Sequence, residues 1–439
     1  MDETYLWYQD IPAVDPVSYT PAAYGGSVFN ALRAYFLDLT TPKRTASGKF
    51  VDEFSFAVPT AVRLNQQAGI SSGYGIRFAR LNDPNNTATL VIRVLYVEPD
   101  SPGDLAGVQR GDTVKSVDGV DINDKTQAGV AKINAGLSPT TAVKTTTFGL
   151  QAADADAPCD VTVVSSANVK VSPVEFTKTL KVGTNTVGYL TLNSFSIASA
   201  QGQLIESIKQ LKSAKVNELV LDLRYNGGGF LAISNQLSWM IGDASLAGKV
   251  YEKTSCNDKN KLENCNTESD FIQQTLGDSA NNVVGGQALP QLGLKRVFVL
   301  TTASTCSASE ALVNGLSPFL QVIRIGSTTC GKPYGFFYQD NCGTSYAPMQ
   351  FKGVNAIGFG DYADGFAPTC AVADDLSKDR GDPSELMLAG AINYMKTGSC
   401  PPASTGTQKL DVLGKASYKM MRSPMEENRM YNPIGSPQR

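Results

Sequence analysis

Two residues carry the first chemical question. Ser307 lies in Thr305-Cys306-Ser307-Ala308-Ser309-Glu310, and Lys332 follows 25 positions later in Cys330-Gly331-Lys332. A serine hydroxyl is a weak nucleophile until a base removes its proton. The chain has 439 residues and no His, which excludes a Ser-His-Asp triad, a Cys-His dyad and a His-bearing zinc site. The proton acceptor must then be Lys, Asp, Glu, Tyr or a backbone group. A neutral amine at Lys332 could take the proton from Ser307 and return it to a leaving group. Lysine ordinarily titrates near about 10.4, so this role requires burial to lower it, and Tyr334, Phe336 and Phe337 offer apolar surroundings. Each residue also has a plainer reading. Ser307 can be a helix N-cap, with Glu310 three residues on completing a capping box, and Lys332 can be a surface-loop lysine.

The elements that must position these residues are strands and helices in alternation. Val187–Leu192 reads as a strand, and Leu204, Ile205, Ile208 and Leu211 mark one face of a helix. Leu219–Leu223 reads as a buried strand ending in Asn226-Gly227-Gly228-Gly229, and Ala232–Ile241 resumes helical spacing. Val297–Leu300, helix Ala308–Leu316 and strand Val322–Ile325 complete the pattern. Such alternation predicts a partly parallel sheet covered by helices. Ser307 and Lys332 both fall in loops beyond strand ends, and the pattern leaves open whether those loops share one end of the sheet.

The flanking texture differs. Residues 1–65 predict a helical opening segment, with Leu6, Trp7 and Tyr8 and then Phe29, Leu32, Tyr35, Phe36 and Leu39 near helical spacing. Residues 66–165 predict a small β-rich domain: Leu90–Val97 is an apolar strand interrupted only by Arg93, and Asp118-Gly119 signals a tight hairpin. Lys253–Asp270 predicts a surface insertion, and 401–439 predicts a tail that is loosely ordered or packed as an arm.

Two tempting motifs fail. Gly69-Ile70-Ser71-Ser72-Gly73 fits G-x-S-x-G but lacks the histidine that chemistry needs. Gly358-Phe359-Gly360-Asp361-Tyr362-Ala363 has Gly365 and Pro368 where a dinucleotide fingerprint would start its helix.

Lys+Arg number 38 against 41 Asp+Glu, so no basic footprint points to nucleic acid or acidic membranes. No apolar run approaches the roughly 18 residues of a membrane span. The eight Cys include no C-x-x-C, which fits disulfides in an exported protein better than metal ligation. Proximity favours Cys256–Cys265, Cys330–Cys342 and Cys370–Cys400. The second of these would clamp the Lys332 loop. Cys306, beside Ser307, has no base assigned to it.

The motifs together resemble a known family. Ser307-Ala308-Ser309-Glu310 with Gly331-Lys332, the run Leu219 to Gly229, and Val187-Gly188-Tyr189-Leu190 are similar to signatures of the C-terminal processing (tail-specific) serine peptidases. The segment from Ser101-Pro102-Gly103 through Gly111-Asp112 to Val117-Asp118-Gly119 resembles the PDZ domain that such peptidases carry. The resemblance implies a multidomain α+β chain: a helical N-terminal segment, a PDZ-like β-rich domain and an α/β core of crotonase-like or ClpP-like type at 166–400. It implies Ser307 as nucleophile, Lys332 as general base, and an oxyanion hole from the N–H of Ala308 and one in the Gly228-Gly229 turn. It makes Gly73-Tyr74-Gly75-Ile76 the carboxylate-binding loop for substrate. No cofactor or metal is expected. The expected partners are polypeptides with accessible C-termini, not nucleic acid or membrane, and a monomer is preferred for the oligomeric state. One departure stands out: many members have Gln four residues after the Lys, where this chain has Phe336. An inactive relative that binds peptides or another ligand is the alternative.

Overall fold

The computed structural model describes residues 1–45, 48–83, 86–139, 143–153, 155–261, 265–402, 412–413 and 419–421. The core sheet has six strands in the order Val174–Val182, Asn185–Leu192, Glu218–Asp222, Arg296–Thr301, Gln321–Gly326 and Cys370–Ala371. The first pair is antiparallel and every later pair is parallel. Because side chains alternate along a strand, Leu219 and Leu221 enter one apolar cluster and Val220 another. Helices Ala200–Ser213, Leu231–Ile241 and Ala308–Leu316 cover the first face. Leu386–Thr397 covers the second through Met387, Leu388, Ala391 and Met395. Helix Ala308–Leu316 is buried at all nine positions, including the polar Ser309, Glu310 and Asn314, whose side chains are hydrogen-bonded.

The parallel register settles the question of the strand ends. Asp222 aligns with Leu300, and Thr301 with Gly326. The turn after Asp222, the loop carrying Ser307 and the loop carrying Lys332 therefore emerge together at the carboxyl edge, where open α/β sheets build their sites.

The β-rich unit is a separate antiparallel sheet containing Ile76–Asp83, Asn86–Val97, Thr113–Val117, Thr145–Gln151 and Cys159–Val164. Asp118 and Gly119 have φ of 49° and 77°, both positive as a tight hairpin of the primed kind requires. Helix Gln127–Leu137 closes its apolar core.

This unit docks on the core through a buried polar junction. Arg110 donates from Nη1 to Leu95 O at 2.7 Å and to Tyr225 Oη at 2.6 Å. From Nη2 it donates to Asp374 Oδ1 at 2.9 Å. Tyr225 Oη in turn donates to Asp374 Oδ2 at 2.5 Å. Arg224, wholly buried, meets Asp222, Asp374 and Glu385. Burial alone would raise the Asp374 carboxyl, but Arg110 and Arg224 outweigh it and hold it below the usual carboxylate range.

Residues 1–59 differ from the expected helical segment. Val28–Asp38 is an α-helix, but Trp7 caps a single 3-10 turn, Tyr8–Asp10. The physical reason lies in tertiary bonds. Tyr5 is fully buried, its hydroxyl donating to Asp52 Oδ2 at 2.7 Å and accepting from Thr41 N–H at 3.0 Å, while Leu6 N–H donates to Met349 O at 2.8 Å. Strand Phe56–Pro59 then pairs with Thr344–Ala347. The 253–270 insertion is a hairpin of Val250–Cys256 and Glu268–Asp270 closed by Cys256–Cys265. The expectation for 401–439 falls largely outside the described residues. Within them, Val412–Leu413 pairs with Asp374–Asp375, and Lys419–Met420 with Ala79 and Arg80.

Asp374→Asn should destabilise the chain by about 3–5 kcal/mol at neutral pH, because it breaks a buried ion cluster. The carboxylate's folded pKa is depressed, so its contribution is present above the unfolded value of about 3.9 and is lost as pH falls through the lower folded value. Urea titrations should therefore show the gap between parent and variant at pH 7 shrinking at pH 3.

Candidate active site

Ser307 begins the fully buried helix and has φ 56° and ψ −116°. For a side-chain-bearing residue this backbone is strained, at a cost of roughly 1–3 kcal/mol, and it persists only where the surroundings fix it. Three contacts do so. Cys306 N–H donates to Asn226 O at 3.0 Å, Ser309 Oγ donates to the same carbonyl at 3.1 Å, and Glu310 Oε2 accepts from Ser307 N–H at 3.0 Å. A capping box is in place, Glu310 accepting Ser307 N–H, and the serine hydroxyl sits beside the first turn. It is left at the helix N-terminus, where the dipole and the first N–H groups favour developing negative charge.

Glu310 does more than cap. It is fully buried, and its two oxygens accept four donors. Oε1 takes Gly331 N–H at 2.8 Å and Thr329 Oγ1 at 2.5 Å, while Oε2 takes Lys332 N–H at 2.8 Å together with Ser307 N–H. One carboxylate thus binds the backbone of both candidate dyad residues. Burial pushes the Glu310 carboxyl up, and the four donors work against that rise.

A disulfide between Cys306 and Cys330 joins the same two loops covalently. This corrects the expected Cys330–Cys342 pair. Cys342 lies in the turn after Gln339–Asn341, exposed and unbonded, whereas the parallel register brings the loops after Thr301 and Gly326 side by side. The expected Cys256–Cys265 and Cys370–Cys400 pairs are both present.

Lys332 is only 4% exposed. Its Nζ lies 5.0 Å from the Phe336 ring centre and 5.4 Å from that of Phe54. Phe336 is itself packed edge-on against Phe56 and Tyr338. Phe54 and Phe56 come from the N-terminal segment, and no local sequence signal connects them to Lys332.

The glycine turn meets Ser307 directly. A Cβ on Gly228 would stand 2.7 Å from Ser307 Cβ and 2.9 Å from Ala308 N, so only glycine allows this approach. Asn226 holds the turn, donating from Nδ2 to Leu192 O at 2.9 Å and accepting Gly228 N–H at Oδ1 at 2.8 Å. Gly228 N–H is therefore engaged, and Gly229, exposed and at φ 136°, follows it. Ser307, Ala308, Gly228 and Lys332 form one locus. Gly73-Tyr74-Gly75-Ile76 lies elsewhere, lining a cavity of the β-rich unit with Phe78 and Leu137. A second cleft runs between that unit and the core, from Arg77 and Tyr96 to Tyr225, Gly227 and Gly228.

A strained serine at the head of a buried helix, a buried lysine and a glycine turn thus meet at one sheet edge, beside the β-rich unit. Two family models match the chain. Residues 186–336 match peptidase family S41 and residues 93–134 match the PDZ domain. The chain is similar in sequence to proteins named carboxyl-terminal-processing peptidases or proteases. It is 25% identical over 264 residues to carboxyl-terminal-processing peptidase 1, chloroplastic, of Arabidopsis thaliana, covering 60% of this chain and 47% of that one. It is 28% identical over 247 residues to a carboxyl-terminal-processing protease of Picosynechococcus sp., covering 55% and 51%. The chain thus spans about half the length of these relatives. A crystal structure of a putative S41 protease from Bacteroides fragilis shares the fold, with TM-score 0.67 and 23% identity over 91% of this chain and 96% of that one.

Glu310→Gln should lower stability, because an amide offers an acceptor to only one of the two donor pairs. Leaving buried donors unpaired costs about 1–3 kcal/mol each, which calorimetry should register as a lower Tm. The Cys306→Ser/Cys330→Ser double variant should lose roughly 3 kcal/mol from the freed 24-residue separation, measured by urea unfolding under non-reducing conditions.

Proposed function

We propose that this chain is a serine endopeptidase that cleaves polypeptides near their C-termini, with Ser307 as nucleophile and Lys332 as general base. The observation that carries the reading is the double clamp of Glu310 and the Cys306–Cys330 bond on the two loops. Such a clamp is needed where two side chains must meet within a fraction of an ångström, and a mere N-cap has no use for it.

In the proposed reaction, Ser307 Oγ attacks the scissile carbonyl carbon while Lys332 Nζ takes its proton. The tetrahedral oxyanion is held by Ala308 N–H and by the glycine turn, where Gly229 is the assigned donor because Gly228 N–H is bonded to Asn226. One such donor contributes about 2.7–4 kcal/mol to the transition state. The C–N bond then breaks, Lys332 gives the proton to the departing amine, and an acyl-enzyme remains. Water attacks the ester carbon as Lys332 again accepts the proton, the bond from that carbon to Ser307 Oγ breaks, and Lys332 returns the proton to Oγ as the acid product leaves. The PDZ groove, with Gly73-Tyr74-Gly75-Ile76 as carboxylate loop, would hold the substrate's end as an added strand. The same reading assigns the core to the crotonase-like or ClpP-like class. It also assigns the chain to an exported setting, for which the three disulfides are the support.

The binding-only alternative rested on Phe336. Its ring lies against the lysine amine and is locked by Phe56 and Tyr338, so it can orient the amine by packing where an amide would do so by hydrogen bonding.

Incubated with an unstructured polypeptide, Ser307→Ala and Lys332→Ala should each cut at least about a thousandfold more slowly than the parent. The parent's kcat/KM should rise toward alkaline pH on a single limb, since the amine acts only when neutral. Equal cleavage by all three proteins would refute the dyad.

A further inference from the structure

The exposed edge of strand Ile76–Asp83 is already occupied. Lys419 pairs with Arg80 and Met420 with Ala79, antiparallel, and Met421 N–H donates to Phe78 O at 2.7 Å. Each step along 419–421 moves one residue closer to the Gly73–Ile76 loop. That is the direction in which a peptide ending at this loop would run, and added-strand recognition supplies its affinity through such main-chain bonds.

The two methionines face opposite ways, as strand alternation requires. Met421 joins the apolar cluster of Tyr74, Phe78, Ile133 and Leu137 and lines the cavity of the carboxylate loop. Met420 joins Ala79, Leu95, Tyr96 and Tyr225 in a different cluster and lines the cleft that reaches Gly227 and Gly228. Both are nearly buried, at 9% and 7% exposure. One face of the added strand is therefore read by the PDZ unit. The other is read in part by the peptidase core, through the tyrosine three residues before Gly228.

We propose that Lys419–Met421 is a built-in occupant of the peptide groove. The groove yields it only to an extended polypeptide bearing two adjacent large apolar side chains, one for the Tyr74–Phe78–Leu137 pocket and one for the Tyr96–Tyr225 face. This rests on the reading of the groove as a peptide site. A tethered ligand competes at an effective concentration reaching the millimolar range, so a free peptide must overcome that occupancy before it binds.

The test uses the full chain and a fluorescent peptide of residues 415–421, Lys-Ala-Ser-Tyr-Lys-Met-Met, with a free carboxylate. The Met420→Asp/Met421→Asp variant should bind this peptide at least about tenfold more tightly than the parent. Met421→Ala, which keeps the strand but vacates the pocket, should shift binding less in the same direction. In the parent, hydrogen exchange at the Met421 amide should be slow, and should accelerate when saturating peptide displaces the segment. Equal peptide affinity in parent and double variant, absence of binding to either, or exchange at Met421 as fast as in the free peptide would each overturn the proposal. Cleavage indifferent to Ser307→Ala would sink the peptidase reading while leaving these binding and exchange results unchanged.

Discussion

A single buried carboxylate organises this molecule's chemistry. Glu310 sits in the first turn of a helix with no exposed residue, and it accepts backbone N–H groups from three residues in two loops. A buried carboxylate without partners would be costly enough to neutralise itself. With four donors it becomes a fixed junction, and its own position follows from the helix that carries it. The strain at Ser307, the turn at Gly331 and the direction of the Lys332 backbone all lean on this group. The disulfide reinforces the same junction, so hydrogen bonding and covalent geometry favour one arrangement of the loops.

A second buried polar cluster links the β-rich unit to the glycine turn beside Ser307. Arg110 lies in the turn just before strand Thr113–Val117 of the first, Tyr225 directly precedes Asn226 of the second, and Asp374 holds both. Buried ion clusters of this kind add little net stability compared with apolar packing, but they tolerate few alternative arrangements. The relative orientation of the two units is specified by charge pairing. The stacked rings of Tyr96 and Tyr225, 5.6 Å apart, supply apolar contact around it.

Much of this was legible in the sequence, and the failures have physical causes. The core strands and helices were readable because each apolar face keeps a period of 2 or 3.6 over enough residues to average out exceptions. Ser307, Lys332 and the glycine run stood out through the resemblance of their ordered motifs to a known family, since a helix cap, a surface loop and a tight turn use the same residue types. Glu310 was visible only as a cap, since three of its four donors belong to a loop some twenty residues on, which no local pattern encodes. Phe54 and Phe56 were invisible for the same reason, separated from Lys332 by most of the chain. Cys330 was assigned the wrong partner because nearness in sequence competes with nearness across a parallel crossover. The crossover wins, because strands Arg296–Thr301 and Gln321–Gly326 are direct neighbours.

The three disulfides close separations of 9, 24 and 30 residues, and each ring lies wholly within the second half of the chain. A chain cut inside any one of those rings stays a single covalent molecule. For the ring between Cys306 and Cys330, the enclosed stretch holds the whole of helix Ala308–Leu316 and return strand Gln321–Gly326, between the loops that carry Ser307 and Lys332. A nick there would divide the polypeptide yet leave the segments bearing Ser307 and Lys332 tethered to each other. A molecule damaged in this way would run at full mass on a non-reducing gel and come apart only when the sulfurs are reduced.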